Sequence, residues 1–159
     1  MSDGWLAYRD YLRRLRCWAH LIRKARGLAQ SRDREARVFG QRVLTTLEVL
    51  MAAVYAAREG PLPVDWLTQH APLLAALRTA CEGRQSSPHQ KTHALAVELL
   101  NDWDAIFQVL RYPKYPLTNN EAERALRHWV IARKISLGTR TPVGSRVFAL
   151  LASVINTCR

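Results

Sequence analysis

The sequence has no long apolar run, few cysteines and too few acidic residues to balance its basic ones. No eighteen consecutive apolar residues occur, so we expect no membrane-spanning segment. The N-terminus also lacks the apolar core of a signal peptide. The cysteines are odd in number and widely spaced, which predicts reduced thiols in the cytoplasm; they are Cys17, Cys81 and Cys158.

The charge balance is strongly basic. Lys and Arg number 24 against 13 Asp and Glu, which gives a formal net charge of +11. This excess predicts a polyanionic partner, nucleic acid first and an acidic membrane surface second. The alternative is a basic protein from a high-GC genome, in which Arg is simply common. With 159 residues and a hydrophobic content of 48%, the chain can form a globular domain with a core.

Apolar spacing predicts a mainly α-helical protein. A stripe from Ala36 to Tyr55 predicts a helix that stops at Gly60-Pro61. Residues 61–84 contain three prolines between apolar clusters, so one or two short helices fit there. Ser87 is the expected N-cap of a helix that reaches about Arg111, with Pro88 as its first residue.

In the rest of the chain, prolines and a glycine mark helix ends and turns. Residues 112–116 contain two prolines and should be extended, since a proline disfavours helix at the residue before it. Thr118 and Asn119 can cap the next helix through their side-chain oxygens. Gly138 marks a turn, and Thr141-Pro142 opens a last helix.

The helix predicted after Asn119 contains the residue pattern that is most informative about function. Asn120, Glu123, Arg127 and Lys134 recur at intervals of three, four and seven, which keeps them on one helix face. A carboxylate beside an amide and two cations suits a site that handles a metal ion or phosphates. The alternative is an ordinary solvated face with ion pairs one turn apart.

Three motifs resemble those of DDE transposases of bacterial insertion sequences, in particular the insertion sequence 66 family. The first two motifs are Ser2-Asp3-Gly4-Trp5 with Tyr8, and Cys17-Trp18-Ala19-His20 with Arg23-Lys24. The third is Asn119-Asn120-x-Ala122-Glu123-Arg124-x-Leu126-Arg127, followed by Arg133-Lys134. Trp5 in place of a tyrosine and Ile22-Arg23 in place of an arginine pair are departures. The motifs occur in the family's order, and the middle of the chain matches only as a helical spacer.

The resemblance implies DNA strand cleavage and joining with two Mg²⁺ ions held by carboxylates. It assigns Asp3 as the second acid of the triad and Glu123, not Glu121, as the third. Asn120, Arg127 and Lys134 would hold phosphates or orient Glu123. Further candidates for contacts with DNA backbone phosphates are Arg23, Lys24, Arg124, Arg133 and Arg140.

The resemblance also implies an organisation in three parts. It predicts a remnant of the catalytic core over 1–30. Apolar spacing from Trp5 to Ile22 favours helix there, and the resemblance interrupts this run with a short strand, so we expect a helix over about 4–14, a strand over 15–19 and a helix over 20–30. A helical insertion follows over 31–111, and the third-acid region with the C-terminal helices covers 112–159. Because the sequence starts at the second acid, we expect a C-terminal fragment of a ribonuclease-H-like core, lacking the first aspartate and most core strands, and inactive alone.

Other metal sites are weaker hypotheses. Cys17 and His20 are good zinc ligands, but a structural zinc site needs about four, and no second pair with such spacing exists. We therefore interpret Cys17 and Trp18 as core residues. His89 and His93 are four positions apart without a third ligand at a matching interval, which favours solvated histidines.

Two other functions remain open from the sequence. One is a non-catalytic, basic helical DNA-binding protein, which could modulate a full-length transposase in mixed oligomers. The other is a helical interaction protein in which the motifs are coincidental. The candidate partners are DNA, as element ends and target, and further copies of the chain or a full-length transposase.

Overall fold

The structure is a computed structural model that describes residues 14–61, 63–135 and 138–157. These residues form seven helices and no strand, which confirms the mainly α-helical prediction. The helices are α1 (Trp18–Ala29), α2 (Arg34–Ala56), α3 (Trp66–Glu82), α4 (Gln90–Asn101), α5 (Trp103–Arg111), α6 (Asn120–Ile135) and α7 (Pro142–Thr157). The chain divides into two compact units after Thr118. We call residues 1–118 the N-terminal unit and residues 119–159 the C-terminal unit.

Helix α2 is central to the N-terminal unit, where it packs against α1, α3 and α4. It begins after Asp33, whose carboxylate accepts a hydrogen bond of 2.7 Å from the Ala36 amide. This is the usual capping bond, because it satisfies a backbone N–H that has no partner within the helix. The predicted apolar stripe is buried except for Tyr55, whose exposed fraction is 48%.

The α1–α2 crossing is close because Gly40 has no side chain. A Cβ added there would lie 2.5 Å from both the Leu28 Cβ and the Ala29 backbone nitrogen. Real Cβ atoms do not approach other atoms so closely, and therefore any larger residue would push the helices apart.

By length and composition, α2 is the one helix of the described chain that could cross a membrane. Its apolar side chains instead pack in the protein core. Val43, Leu47, Leu50 and Val54 are completely buried in the core, as in the central helix of a globular domain. A core helix of this kind passes the same test of length and hydropathy.

Two buried tryptophans attach α5 to the rest of the N-terminal unit. Trp18 Nε1 donates to the Ile106 carbonyl at 2.8 Å, and Trp66 Nε1 donates to the Leu110 carbonyl at 2.7 Å. Buried indole N–H groups need such partners. Cys17 and Trp18 are both 1% exposed, which confirms their interpretation as core residues.

The strand predicted over 15–19 is corrected from Trp18 onward. Helix α1 already begins at Trp18, and only the residues before it are extended. The Arg16 amide donates to the Ala105 carbonyl at 3.1 Å, and the Trp18 amide donates to the Leu117 carbonyl at 2.8 Å. These two hydrogen bonds join the N-terminal end of α1 and the residue two before it to α5 and to the loop before α6; Arg16 itself has the geometry of an isolated β-bridge. The predicted helix over 4–14 falls, except for Arg14, outside the described residues.

The helix predicted to reach Arg111 is interrupted. The chain leaves helical geometry at Asp102 (φ −108°, ψ 18°), which separates α4 from α5. The carboxylate of Asp102 pairs with Arg14 and Arg16, so a distant segment holds this residue. No local sequence signal marks the break.

Three loop predictions are also corrected. Helix α4 is capped by His89, whose Nδ1 accepts from the Thr92 amide at 3.3 Å, rather than by Ser87. Residues 61–84 contain a single 17-residue helix, α3, which includes Pro72. Residues 112–116 form a turn instead of an extended segment. The Tyr115 amide donates to the Tyr112 carbonyl at 2.9 Å, and the guanidinium of Arg58 binds the carbonyls of Pro113 and Tyr115 at 2.7 Å each.

In the C-terminal unit, α6 and α7 flank a turn at Gly138. Gly138 has φ +80°, and its amide donates to the Arg133 carbonyl at 2.7 Å. This left-handed backbone confirms the predicted turn and favours glycine. Helix α7 begins at Pro142 as predicted, and Thr141 caps it by accepting a hydrogen bond from the Gly144 amide at 3.0 Å.

Candidate metal-binding and nucleic-acid-binding residues

Helix α6 begins where the capping pattern predicts. The Glu123 amide donates to the Asn119 carbonyl at 2.9 Å, which is the first hydrogen bond of the helix. The side-chain part of that prediction is wrong for Asn119. Its Oδ1 is buried and accepts no hydrogen bond from the described residues. The backbone carbonyl, rather than the amide side chain, makes the bond at this end.

The helical backbone places the four residues of the predicted stripe on one face. Asn120, Glu123, Arg127 and Lys134 fall within an arc of about 60° around the helix axis. All four side chains are exposed. The stripe is therefore open to a large ligand.

The other predicted cations fall into two groups. Arg124 is exposed beside the stripe, whereas Arg133 belongs to a neighbouring face of α6. Arg140 is exposed in the turn before α7. Arg23 and Lys24 are exposed on α1, in the N-terminal unit.

The donor chemistry of the stripe fits a hard cation in part. Glu123 and Asn120 supply a carboxylate and an amide oxygen one turn apart, and oxygen ligands are those that Mg²⁺ prefers. Among the described residues, no three His, Cys, Asp or Glu side chains come together as a metal-binding group. Asp3 lies outside the described residues. The stripe alone therefore offers part of a metal site.

Hydrogen bonding or burial accounts for three candidate ligands in the N-terminal unit, which are His89, His93 and Cys81. His89 caps α4, and His93 Nδ1 contacts the Gln85 carbonyl. Burial, together with the smaller effect of the nearby Glu82 carboxylate, raises the pKa of the Cys81 thiol to about 12. A thiol with that pKa stays protonated at neutral pH and is a poor nucleophile.

Sequence reasoning missed a buried ionic cluster in the N-terminal unit. Arg16 is 2% exposed and binds the carboxylate of Glu98, while its Nε lies 3.3 Å from Asp102 Oδ2. Arg14 binds Asp102 as well, and Lys24 Nζ donates to Glu98 Oε2 at 2.6 Å. Up to 88 positions separate these partners, so no local pattern could reveal the cluster.

The cluster gives Lys24 a defined position. Its acceptor, Glu98, also binds the buried Arg16. Sequence reasoning also missed Lys91, an exposed residue of α4 that lines the same cleft as Arg23 and Lys24. Its only signal in the sequence is its charge.

Comparison with known proteins identifies the kind of chain that carries these residues. The model of the transposase IS66 family matches residues 1–147, which include Asp3, Glu123 and every candidate cation. No curated protein and no solved structure matches the chain.

Proposed function

The chain belongs to the transposase IS66 family, and on that premise we propose that it acts in DNA transposition in the bacterial cytoplasm. It binds DNA through its exposed cations and supplies two acids, Asp3 and Glu123, for metal-dependent strand cleavage and transfer. The observation that carries the proposal is the exposed stripe of α6 in the middle of the family's third motif.

Each residue of the stripe has a role that follows from its chemistry. Glu123 would hold Mg²⁺ together with Asp3, and Asn120 would orient the carboxylate or contact a phosphate. Arg127 and Lys134 bind phosphate oxygens, since cations on one exposed helix face can follow a polyanionic strand. Bound Mg²⁺ supplies Lewis-acid activation of the attacking hydroxyl and stabilisation of the leaving oxygen.

The proposed reaction depends on a third acid. The resemblance implies three carboxylates, and the motifs of this sequence provide two. We therefore expect this chain by itself to bind DNA but to cleave it weakly or not at all. Cleavage should appear when a full-length transposase chain supplies a complete set.

The second candidate function is DNA binding without catalysis. The excess of basic residues favours it, because a net charge of +11 supports binding to a polyanion whether or not cleavage follows. Such a protein could modulate a full-length transposase by forming mixed oligomers.

The experiment compares Glu123→Gln with Glu121→Gln, a neighbouring carboxylate that the family pattern does not assign. Both variants are tested for binding to duplex DNA and for Mg²⁺-dependent nicking of supercoiled plasmid, alone and with a full-length family member. We expect Glu123→Gln to abolish the contribution of this chain to nicking while binding persists, and Glu121→Gln to change neither.

The outcomes separate the two candidate functions. Nicking that survives in Glu123→Gln would show that the acid is assigned wrongly. Binding without nicking in every mixture would favour the non-catalytic DNA-binding protein. Absence of salt-dependent DNA binding by the wild-type chain would contradict both.

A further inference from the structure

We propose that the groove between α1 and α4 is a second contact surface for duplex DNA, which binds the phosphate backbone of one strand. The inference rests on the proposed DNA-binding function and identifies where part of that binding occurs. It concerns the N-terminal unit only, and its evidence is independent of the α6 stripe.

The groove has cationic sides and an apolar floor. Arg23 and Lys24 of α1 and Lys91 of α4 line a cleft of about 380 Å³ above the buried Leu28 and Leu95. A second cleft of about 420 Å³ continues from it along the same two helices, and Lys91 and Leu28 line both.

The electrostatics of the groove are positive even though it contains a carboxylate. Glu98 is the one acidic residue that lines either cleft, and its two oxygens already bind Arg16 and Lys24. Counting Arg14 and Asp102 with this network, five cationic side chains face two carboxylates, an excess of three positive charges.

The ionic cluster also leaves cationic donors without partners. Arg16 is 2% exposed, and its Nη1 has no hydrogen-bond partner among the described residues. The same holds for Nη1 of Arg14. Buried donors are usually satisfied, but neither arginine lines either cleft and both Nη1 atoms are buried, so the cluster makes no direct phosphate contact and contributes only its charge. The α4 N-terminus, which opens on the second cleft at His89, adds partial positive charge.

The dimensions favour an extended polyanion over a single ion. From Arg23 to Leu28 the groove follows α1 for about 7.5 Å, at about 1.5 Å of rise per residue. A DNA strand presents one phosphate per roughly 3.4 Å of duplex axis, so about two phosphates span the groove. Cations from both helices can therefore contact one strand.

Gly27 allows a direct test, because it lines both clefts and a Cβ added there meets no atom within 4 Å. Gly27→Glu places a negative charge in the groove, and Gly27→Gln places an uncharged side chain of the same shape. Both replace a helical glycine with a good helix former, so a difference between them reports charge rather than folding.

Gly60→Glu is the control for net charge. Gly60 is exposed, has the same open space around an added Cβ and lines neither cleft. Binding of each full-length variant to a fluorescent duplex is measured by anisotropy across a salt series. Circular dichroism then establishes that each variant is folded.

We expect Gly27→Glu to weaken binding about tenfold at low salt and to reduce the slope of log K against log salt by about one. Gly27→Gln should weaken binding less than Gly27→Glu and leave the slope unchanged, and Gly60→Glu should stay within about twofold of wild type. Lys91→Gln should reproduce the change in slope, since it removes one phosphate contact.

Equal weakening by Gly27→Glu and Gly60→Glu would overturn the proposal, because only net charge would then matter. Competition by inorganic phosphate at millimolar concentration would also overturn it, by indicating a site for a single anion. In both cases the DNA-binding function survives. If the wild-type chain shows no salt-dependent binding to duplex DNA, the proposed function fails together with the groove.

Discussion

The two units of the chain use similar apolar patterns with opposite results. In α2 of the N-terminal unit, Val43, Leu47 and Leu50 are fully buried. In α7 of the C-terminal unit, Val147 and Leu151 follow the same four-residue spacing but are 49% and 54% exposed. No described side chain of the C-terminal unit whose burial is defined is fully buried. A periodic apolar stripe therefore predicts a helix, while burial depends on what packs against it.

The units also differ in how they use charge. The N-terminal unit buries Arg16 and Asp102 in an ionic cluster, whereas the candidate cations of α6 are exposed. Buried charges need their partners, because an unpaired charge in the interior is costly. Exposed cations contribute little to stability and are accessible to phosphates. The first arrangement supports the fold, and the second is suited to binding.

The largest expected contrast is between Leu47→Ala in α2 and Leu151→Ala in α7. Leu47 is completely buried, so its truncation should lower the free energy of unfolding by about 2–5 kcal/mol through lost burial and a cavity. Leu151→Ala should change it by less than about 0.5 kcal/mol. Urea titration followed by circular dichroism measures both. Equal losses would show that the exposed face of α7 stabilises the chain as a core does.

A smaller contrast is expected between Asp102→Asn and Arg127→Gln. Asp102 is 3% exposed and binds two arginines. Its neutralisation should therefore lower the free energy of unfolding by about 3 kcal/mol, although Glu98 still pairs with Arg16. Arg127 is exposed, and its replacement should change the free energy of unfolding by less than about 0.5 kcal/mol. The same urea titration measures these effects. A stability loss from Arg127→Gln as large as that from Asp102→Asn would contradict the division between structural and binding charges.

The smallest effect is a pH dependence from Cys81 in the N-terminal unit. Its pKa is raised from 9.0 to about 12 in the folded chain, so above pH 9 the unfolded chain loses this proton first. The contribution of the protonated thiol to stability is complete below pH 9 and is lost as pH rises towards 12. Between pH 9 and pH 10 we expect the free energy of unfolding to fall by about 1 kcal/mol.

Cys81→Ala isolates that contribution, because other groups also titrate at alkaline pH. The difference in free energy of unfolding between wild type and Cys81→Ala should shrink by the same amount over this interval. A difference that stays constant between pH 9 and pH 10 would show that the thiol ionises equally in both states.

Local sequence patterns predicted the elements that local physics controls. Helix α6 starts at Asn120 after the predicted N-cap position, and its stripe residues share one face. Gly138 adopts the left-handed backbone of a turn, and α7 begins at Pro142. Each of these features depends on residues within one or two helical turns. The family motifs likewise depend on residue order, and the family match over residues 1–147 confirms that identification.

Only the tertiary structure decided which polar residues meet across the chain. Arg16 and Glu98 are 82 positions apart, and the break at Asp102 follows from its pairing with arginines before α1. Lys91 faces the same groove as Arg23 only because α4 packs against α1. A local pattern specifies which face of a helix is polar or apolar. The neighbour of that face is fixed by the packing of helices distant in sequence, which no short stretch of residues encodes.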